Sequence, residues 1–164
     1  MDQSIIARYK AHMRTPILRP YDEKDLSSCL AIFDGNVPAF FAADERAEFQ
    51  KHLESADRAA APYIVLEDVT GIVACGGLSI DASRKTAALS WGMVERSLQG
   101  QGLGRLLTET RLALARSIPG IMQVDLSTSQ HTSGFYEAFG FTVIRAVPCG
   151  FGPGLDRLEM ALRL

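Results

Sequence analysis

Gln99 to Leu107 reads QGQGLGRLL, with Gly100, Gly102 and Gly104 at alternate positions ahead of a leucine-rich run. Glycine costs roughly 0.5–1 kcal/mol relative to alanine in regular structure, so this spacing needs a reason. Anion binding supplies one. The first N–H groups of a helix have no partner inside the helix, and the helix dipole adds partial positive charge there. Bare glycine then lets a phosphate reach the amides. Three phosphate patterns compete for the stretch. The P-loop pattern GxxxxGK[ST] fails, because no Lys-Ser or Lys-Thr pair follows the glycines. The dinucleotide pattern GxGxxG matches at Gly100 and Gly102 but has Arg105 in third place. Asp125, about twenty residues on, stands where the ribose-binding acid of that pattern would. The polar spacer ERSLQ and a mid-chain position after a run of strands argue against it, and Asp125 reads as a strand-end residue. The third pattern, Q/R-x-x-G-x-G/A, is met by Gln99, Gly102 and Gly104. A rival use of Gly102 and Gly104 is close helix–sheet packing.

A second block, SGFYEAFGF from Ser133 to Phe141, fits xxxYxxxGF. With both motifs in place, separated by one helix and one strand, the chain resembles the GCN5-related N-acetyltransferase (GNAT) superfamily. The resemblance runs from PILRPYDEKDL to the last strand. It implies acetyl-CoA as cofactor, with coenzyme A as product. The pyrophosphate would rest on the amides of Gln101–Arg105. Gln99, Gly100, Gln101, Gly102, Leu103, Gly104 and Arg105 would then contact the cofactor, together with Ser129 and Tyr136. Met93 and Val94 would pair with the pantetheine arm much as an added β-strand does. Gly92, a glycine inside a strand, is expected to mark a bulge there.

Acetyl transfer to an amine needs a neutral nitrogen, a stabilised oxyanion and a proton for the departing thiolate. The resemblance assigns the oxyanion contact to the backbone N–H of Val94 and the general acid to Tyr136. It also implies direct attack through a tetrahedral intermediate. A lysine-like amine titrates near 10.4, so a base is required for most of it at neutral pH. Many family members carry a glutamate in the strand before the glycines; here AALSWGM has Leu89 and Ser90 instead. Ser90 with a bound water, Glu95, Asp44, Glu45 or no base at all remain open. His131, in the first turn of a helix, reads as exposed. The first two helices border the acceptor site in the family, which places Phe40 and Phe41 beside it. PCGFGPG, residues 148–154, reads as a loop over the same cleft or a plain hairpin connection, with Phe151 at its tip.

These residues need elements to position them. TPILRP reads as a first strand. Asp22 caps a helix carrying Leu26, Cys29, Leu30 and Phe33, which DGNVP breaks. A second helix is predicted from about Asp44 to Leu53. PYIVLED, IVACGGLSI and TAALSWGMV follow as a meander on short turns. Leu103, Leu106, Leu107, Thr110 and Leu114 trace one face of a helix ending near SIPG. IMQVDLS is a strand, and TSQHTSGFYEAFG a short helix capped by Ser129 and stopped at Gly140. FTVIRAV and LDRLEMALRL close the chain. The order is β-α-α-β-β-β-α-β-α-β-β. The fold class is α/β (α+β), a mixed, twisted, largely antiparallel sheet of six to seven strands with about four helices and one central βαβ unit.

Length and composition agree. The 164 residues suit a single domain, 1–164, with residues 1–14 an extra helical turn or a loose arm. A net charge of −2 gives no case for nucleic acid or an anionic membrane. Cys29, Cys75 and Cys149 form no CxxC pair, which suits a reducing compartment and no metal. No signal peptide or spanning run is read, so a cytoplasmic enzyme is expected. Its partner would be a small-molecule or peptide amine, and the resemblance allows a homodimer. The alternatives are a non-catalytic acyl-CoA-binding sensor or interaction module and, more remotely, a dinucleotide-binding protein.

Overall fold

The computed structural model describes residues 15–164. The arm expected at residues 1–14 lies outside them. The chain opens with β1, Ile17–Pro20, paired antiparallel to β2, Tyr63–Asp68. Between them Asp22 caps a short 3-10 turn by accepting from Lys24 N, while the Asp25 carboxylate accepts from Asp22 N at 2.9 Å. That turn leads into α1, Leu26–Gly35, and α2, Arg46–Ser55, follows. Asp25 is buried and takes two hydrogen bonds from the Arg19 guanidinium, at 2.7 and 2.9 Å. Those bonds hold its carboxyl below the usual carboxylate range.

β3, Gly71–Asp81, and β4, Thr86–Val94, complete the meander. Next come α3, Leu103–Ser117, β5, Gln123–Thr128, and the five-residue α4, Ser133–Glu137. β6, Thr142–Gly152, and β7, Leu155–Arg163, finish the chain. One seven-stranded sheet has the order β1-β2-β3-β4-β5-β7-β6. β1 with β2, β2 with β3, β5 with β7 and β6 with β7 pair antiparallel, whereas β4 pairs parallel to β5, the crossover that α3 bridges. That parallel ladder is short: Thr86, Ala87 and Ala88 face Gln123, Val124 and Asp125, and no register continues from Leu89. Among the described residues the expected element order and mixed sheet are as found, with seven strands and four α-helices. No helix among the described residues is long and apolar enough to cross a membrane.

Two compact units are distinguished, one running to Gly77 and including Trp91–Thr110, the other Leu78–Ser90 with Arg111–Leu164. In the first, Cys29, Phe33, Phe49, Leu53, Tyr63, Val65, Cys75 and Met93 form one core, and Ile64, Leu66, Val73, Ala74 and Leu107 another. The second unit is built on Leu78, Ala87, Leu112, Ala115, Val124, Leu126, Phe141 and Met160.

Three local expectations are corrected. The buried face of α3 is Leu107, Thr108, Arg111, Leu112 and Ala115, while Leu106 is exposed. Thr108 is accommodated because its hydroxyl donates to the Gly104 carbonyl one turn back, at 2.9 Å. Ser129 does not cap α4. Its Oγ accepts from His131 N at 3.2 Å and its carbonyl from Thr132 and Ser133, so it begins the turn ahead of the helix. The stretch 148–152 is strand, with register shifts after Val143 and Val147, rather than irregular loop. An edge strand tolerates its proline because one face of the ladder is unpaired.

Candidate active site

The glycine turn is the first thing the structure builds in the unit containing Trp91–Thr110. Gly100 has φ +77° and Gly102 φ +86°, the left-handed region that side chains rarely adopt. Leu106 N donates to Gly102 O at 3.0 Å, which starts α3 at once and leaves the first-turn amides facing the turn. A Cβ at Gly100 or Gly102 would meet nothing within 4 Å. Gly102 is therefore not glycine for the sake of helix–sheet packing. At Gly100 and Gly102 the turn shows bare backbone to open space, the kind of surface a diphosphate requires.

Gln99 opens the motif, and its side chain serves the turn. Nε2 donates to Asn36 Oδ1 at 2.7 Å, and Asn36 Nδ2 donates to both Ile32 O and Val94 O at 2.9 Å. Asn36 is 2% exposed. One buried amide thus ties the end of α1, the end of β4 and the entry to the glycine turn. Val94 is half-buried, its side chain against Leu107 and its neighbours, while Met93 lies in the core. Asn36→Asp should lower stability by about 2 kcal/mol, because a carboxylate cannot donate to the two carbonyls. Urea unfolding measures it, and the acetyl-CoA KM should rise in the same variant.

β4 departs from extended geometry at Trp91, φ +44°, one residue before the glycine expected to mark a bulge. A bulky residue at positive φ costs on the order of 1–3 kcal/mol and persists only where its surroundings hold it. Here Tyr63 donates its hydroxyl to Trp91 O at 2.8 Å. The indole packs on Phe49 at 5.1 Å and on Phe41 at 6.1 Å. Strain of this kind concentrates at functional sites.

The other unit carries Ser90, Ser129 and Tyr136. Ser90 Oγ is buried with no hydrogen-bond partner among the described residues. The Tyr136 ring packs edge-on against Phe135 at 5.0 Å and Phe141 at 6.0 Å. Of the open candidates for the base, Glu45 is taken by Ala42 N at 2.7 Å and Glu95 accepts from the Ser97 hydroxyl. Asp44 and His131 are exposed. Phe40 is 52% exposed with the Arg96 guanidinium over its ring, and Phe151 is exposed as well. Asn36, His52 and Trp91 were not singled out from the sequence.

The family model for the acetyltransferase (GNAT) domain matches residues 59–143, just over half of the chain. The chain belongs to the GNAT acetyltransferase family. Solved structures agree on the fold. A ribosomal-protein-alanine N-acetyltransferase from Brucella melitensis is 22% identical with TM-score 0.75, covering 90% of this chain and 99% of its own. A spermidine N-acetyltransferase from Vibrio cholerae, solved with CoA and spermine, is 19% identical with TM-score 0.72, covering 91% and 95%. An aminoglycoside 6'-N-acetyltransferase complexed with coenzyme A is 15% identical with TM-score 0.74, covering 90% and 96%. At these identities the likeness shows the fold alone. No curated protein sequence matches the chain significantly.

Proposed function

We propose that the chain is an acetyl-CoA-dependent N-acetyltransferase acting on a primary amine. The observation that carries this reading is the pair of left-handed glycines ahead of α3, open where a Cβ would stand, in a chain of the acetyltransferase family. Bound acetyl-CoA supplies an activated acyl carbon and a thiol leaving group. The amides from Gln101 to Arg105 would hold its diphosphate, with Gln99 fixing the entry to that turn through Asn36. Met93 and Val94 would offer strand backbone to the pantetheine arm. The N–H of Val94 would donate to the developing oxyanion, worth about 3–4 kcal/mol where such a donor is preorganised. Ser90 would orient a water, and Tyr136 would donate its phenolic proton to the departing sulfur; both roles rest on motif position.

Thiol release from acetyl-CoA across a panel of amines tests the proposal. Amine-dependent release, with a mass gain of one acetyl group on the amine, is the expected result. Calorimetric binding of acetyl-CoA without release on any amine would leave a coenzyme-binding module, and no binding would end both readings.

A further inference from the structure

Gln130 has no part in the roles assigned above, yet its side chain joins two segments of the second unit that are well separated along the chain. It stands exposed in the turn between β5 and α4. Its Nε2 donates to Gly154 O at 2.9 Å, and its Oε1 accepts from Asp156 N at 2.8 Å. The amide thus pairs with the β6–β7 hairpin as a strand backbone would, spending a donor and an acceptor on neighbouring residues. The hairpin has room for such a partner. Residues 148–151 of β6 stand opposite Asp156 alone, between the pairs Val147 with Arg157 and Gly152 with Leu155, so the ladder is interrupted there. Asp156 spans the bulge with its side chain, Oδ1 accepting from Cys149 N at 2.9 Å, and turns its own N–H to Gln130.

α4 is the element this pairing serves. It has five residues, none of them buried, and Thr132 gives it no side-chain cap. An isolated helix needs about 12–15 residues to hold itself in water, so the place of α4 is set at its ends. At the C-terminal end Gly140 stops it with φ +97° and Phe141 enters the core. At the N-terminal end Ser129 O accepts from Thr132 N and Ser133 N, and the Thr128 and Thr132 hydroxyls pair. Those bonds shape the turn, and Gln130 ties it to the hairpin. Tyr136 lies one turn further on. We infer that Gln130 is a positioning residue for Tyr136: it fixes the start of α4 to the hairpin so that the phenol stands where the departing sulfur needs its proton. The inference rests on the acid role proposed for Tyr136.

Gln130 exchanges no proton in this arrangement; it sets where the donor stands. Both of its bonds are exposed, so water replaces them readily and the fold loses little without them. The rate is more sensitive. With its first turn released, α4 is free to pivot about the Phe141 anchor, and a displacement of about 1 Å at a reacting group is enough to slow a step many-fold. The diphosphate contacts proposed at Gln101–Arg105 belong to the other unit, and they keep their geometry when the turn before α4 loosens. A positioning role therefore appears in kcat, with cofactor affinity and stability little changed.

Thiol release from acetyl-CoA, with the amine of the panel that gives the fastest turnover, measures this. Gln130→Ala should lower kcat about tenfold and leave the acetyl-CoA KM within about threefold of wild type. A double-variant cycle shows what the residue acts through. With Tyr136→Phe already in place, Gln130→Ala should change kcat by no more than about twofold, because the group it positions is gone. No loss in the first background, or the same loss in both, overturns the inference. The two readings fail differently: a silent Tyr136→Phe ends the acid role and the positioning role together, whereas a costly Tyr136→Phe to which Gln130→Ala adds its full effect ends the positioning role alone. Amide hydrogen exchange tests the coupling without any turnover. In Gln130→Ala the amides of Asp156 and of Ser133, Phe135 and Ala138, which hold α4, should exchange about fivefold faster than in wild type. Acceleration confined to Asp156 would mean that the hairpin contact does not reach α4, and the inference would fall.

Discussion

Gly102→Val should weaken acetyl-CoA binding at least a hundredfold, about 2.8 kcal/mol, while Gly120→Val should leave it unchanged. The two glycines are matched in what they ask of the fold. Gly102 has φ +86° and Gly120 φ +84°, and a Cβ on either meets nothing within 4 Å. Valine at such a φ is strained by on the order of 1–3 kcal/mol wherever it occurs, so the two variants should lose similar stability on heating. They differ in place: Gly102 opens α3 at the proposed diphosphate site, and Gly120 lies in the turn after that helix. Isothermal titration on both, with thermal melts for calibration, isolates the ligand contribution from the backbone strain. If Gly102→Val melts like Gly120→Val and still binds acetyl-CoA normally, the phosphate does not dock on this turn.

What the sequence disclosed and what it hid follow from the range of the interactions involved. The glycine turn was legible because both of its causes are local: positive φ selects glycine, and a helix starts immediately after. The meander was legible for the same reason, since short turns leave little choice of partner. Trp91 was not. The sequence points to Gly92 as the irregular residue because glycine bends at least cost, whereas the observed bend is imposed by the Tyr63 hydroxyl and the stacked rings around the indole. Asn36 read only as part of a helix-breaking run, because its partners Val94 and Gln99 lie far along the chain. The face of α3 was misjudged by following leucines. Thr108 and Arg111 are buried instead, and a search for apolar periodicity passes over polar residues. His52 escaped for a similar reason. A histidine on an otherwise polar-looking helix says nothing until the rings of Tyr63 from β2 and Trp91 from β4 are seen beside it.

Tyr136→Phe should lower kcat about a hundredfold and leave acetyl-CoA affinity within threefold of wild type. The magnitude is what a positioned general acid typically contributes. A thiolate leaving group titrates near 8.5, so protonating it as the bond breaks matters most at and above neutral pH. The substitution is clean structurally. The ring keeps its edge contacts with Phe135 and Phe141, and among the described residues the hydroxyl has no hydrogen bond to lose. Thermal stability should therefore stay unchanged, and a fall in kcat cannot be blamed on unfolding. Were kcat preserved in Tyr136→Phe, the sulfur would be taking its proton from water, and the motif tyrosine would be there for its ring.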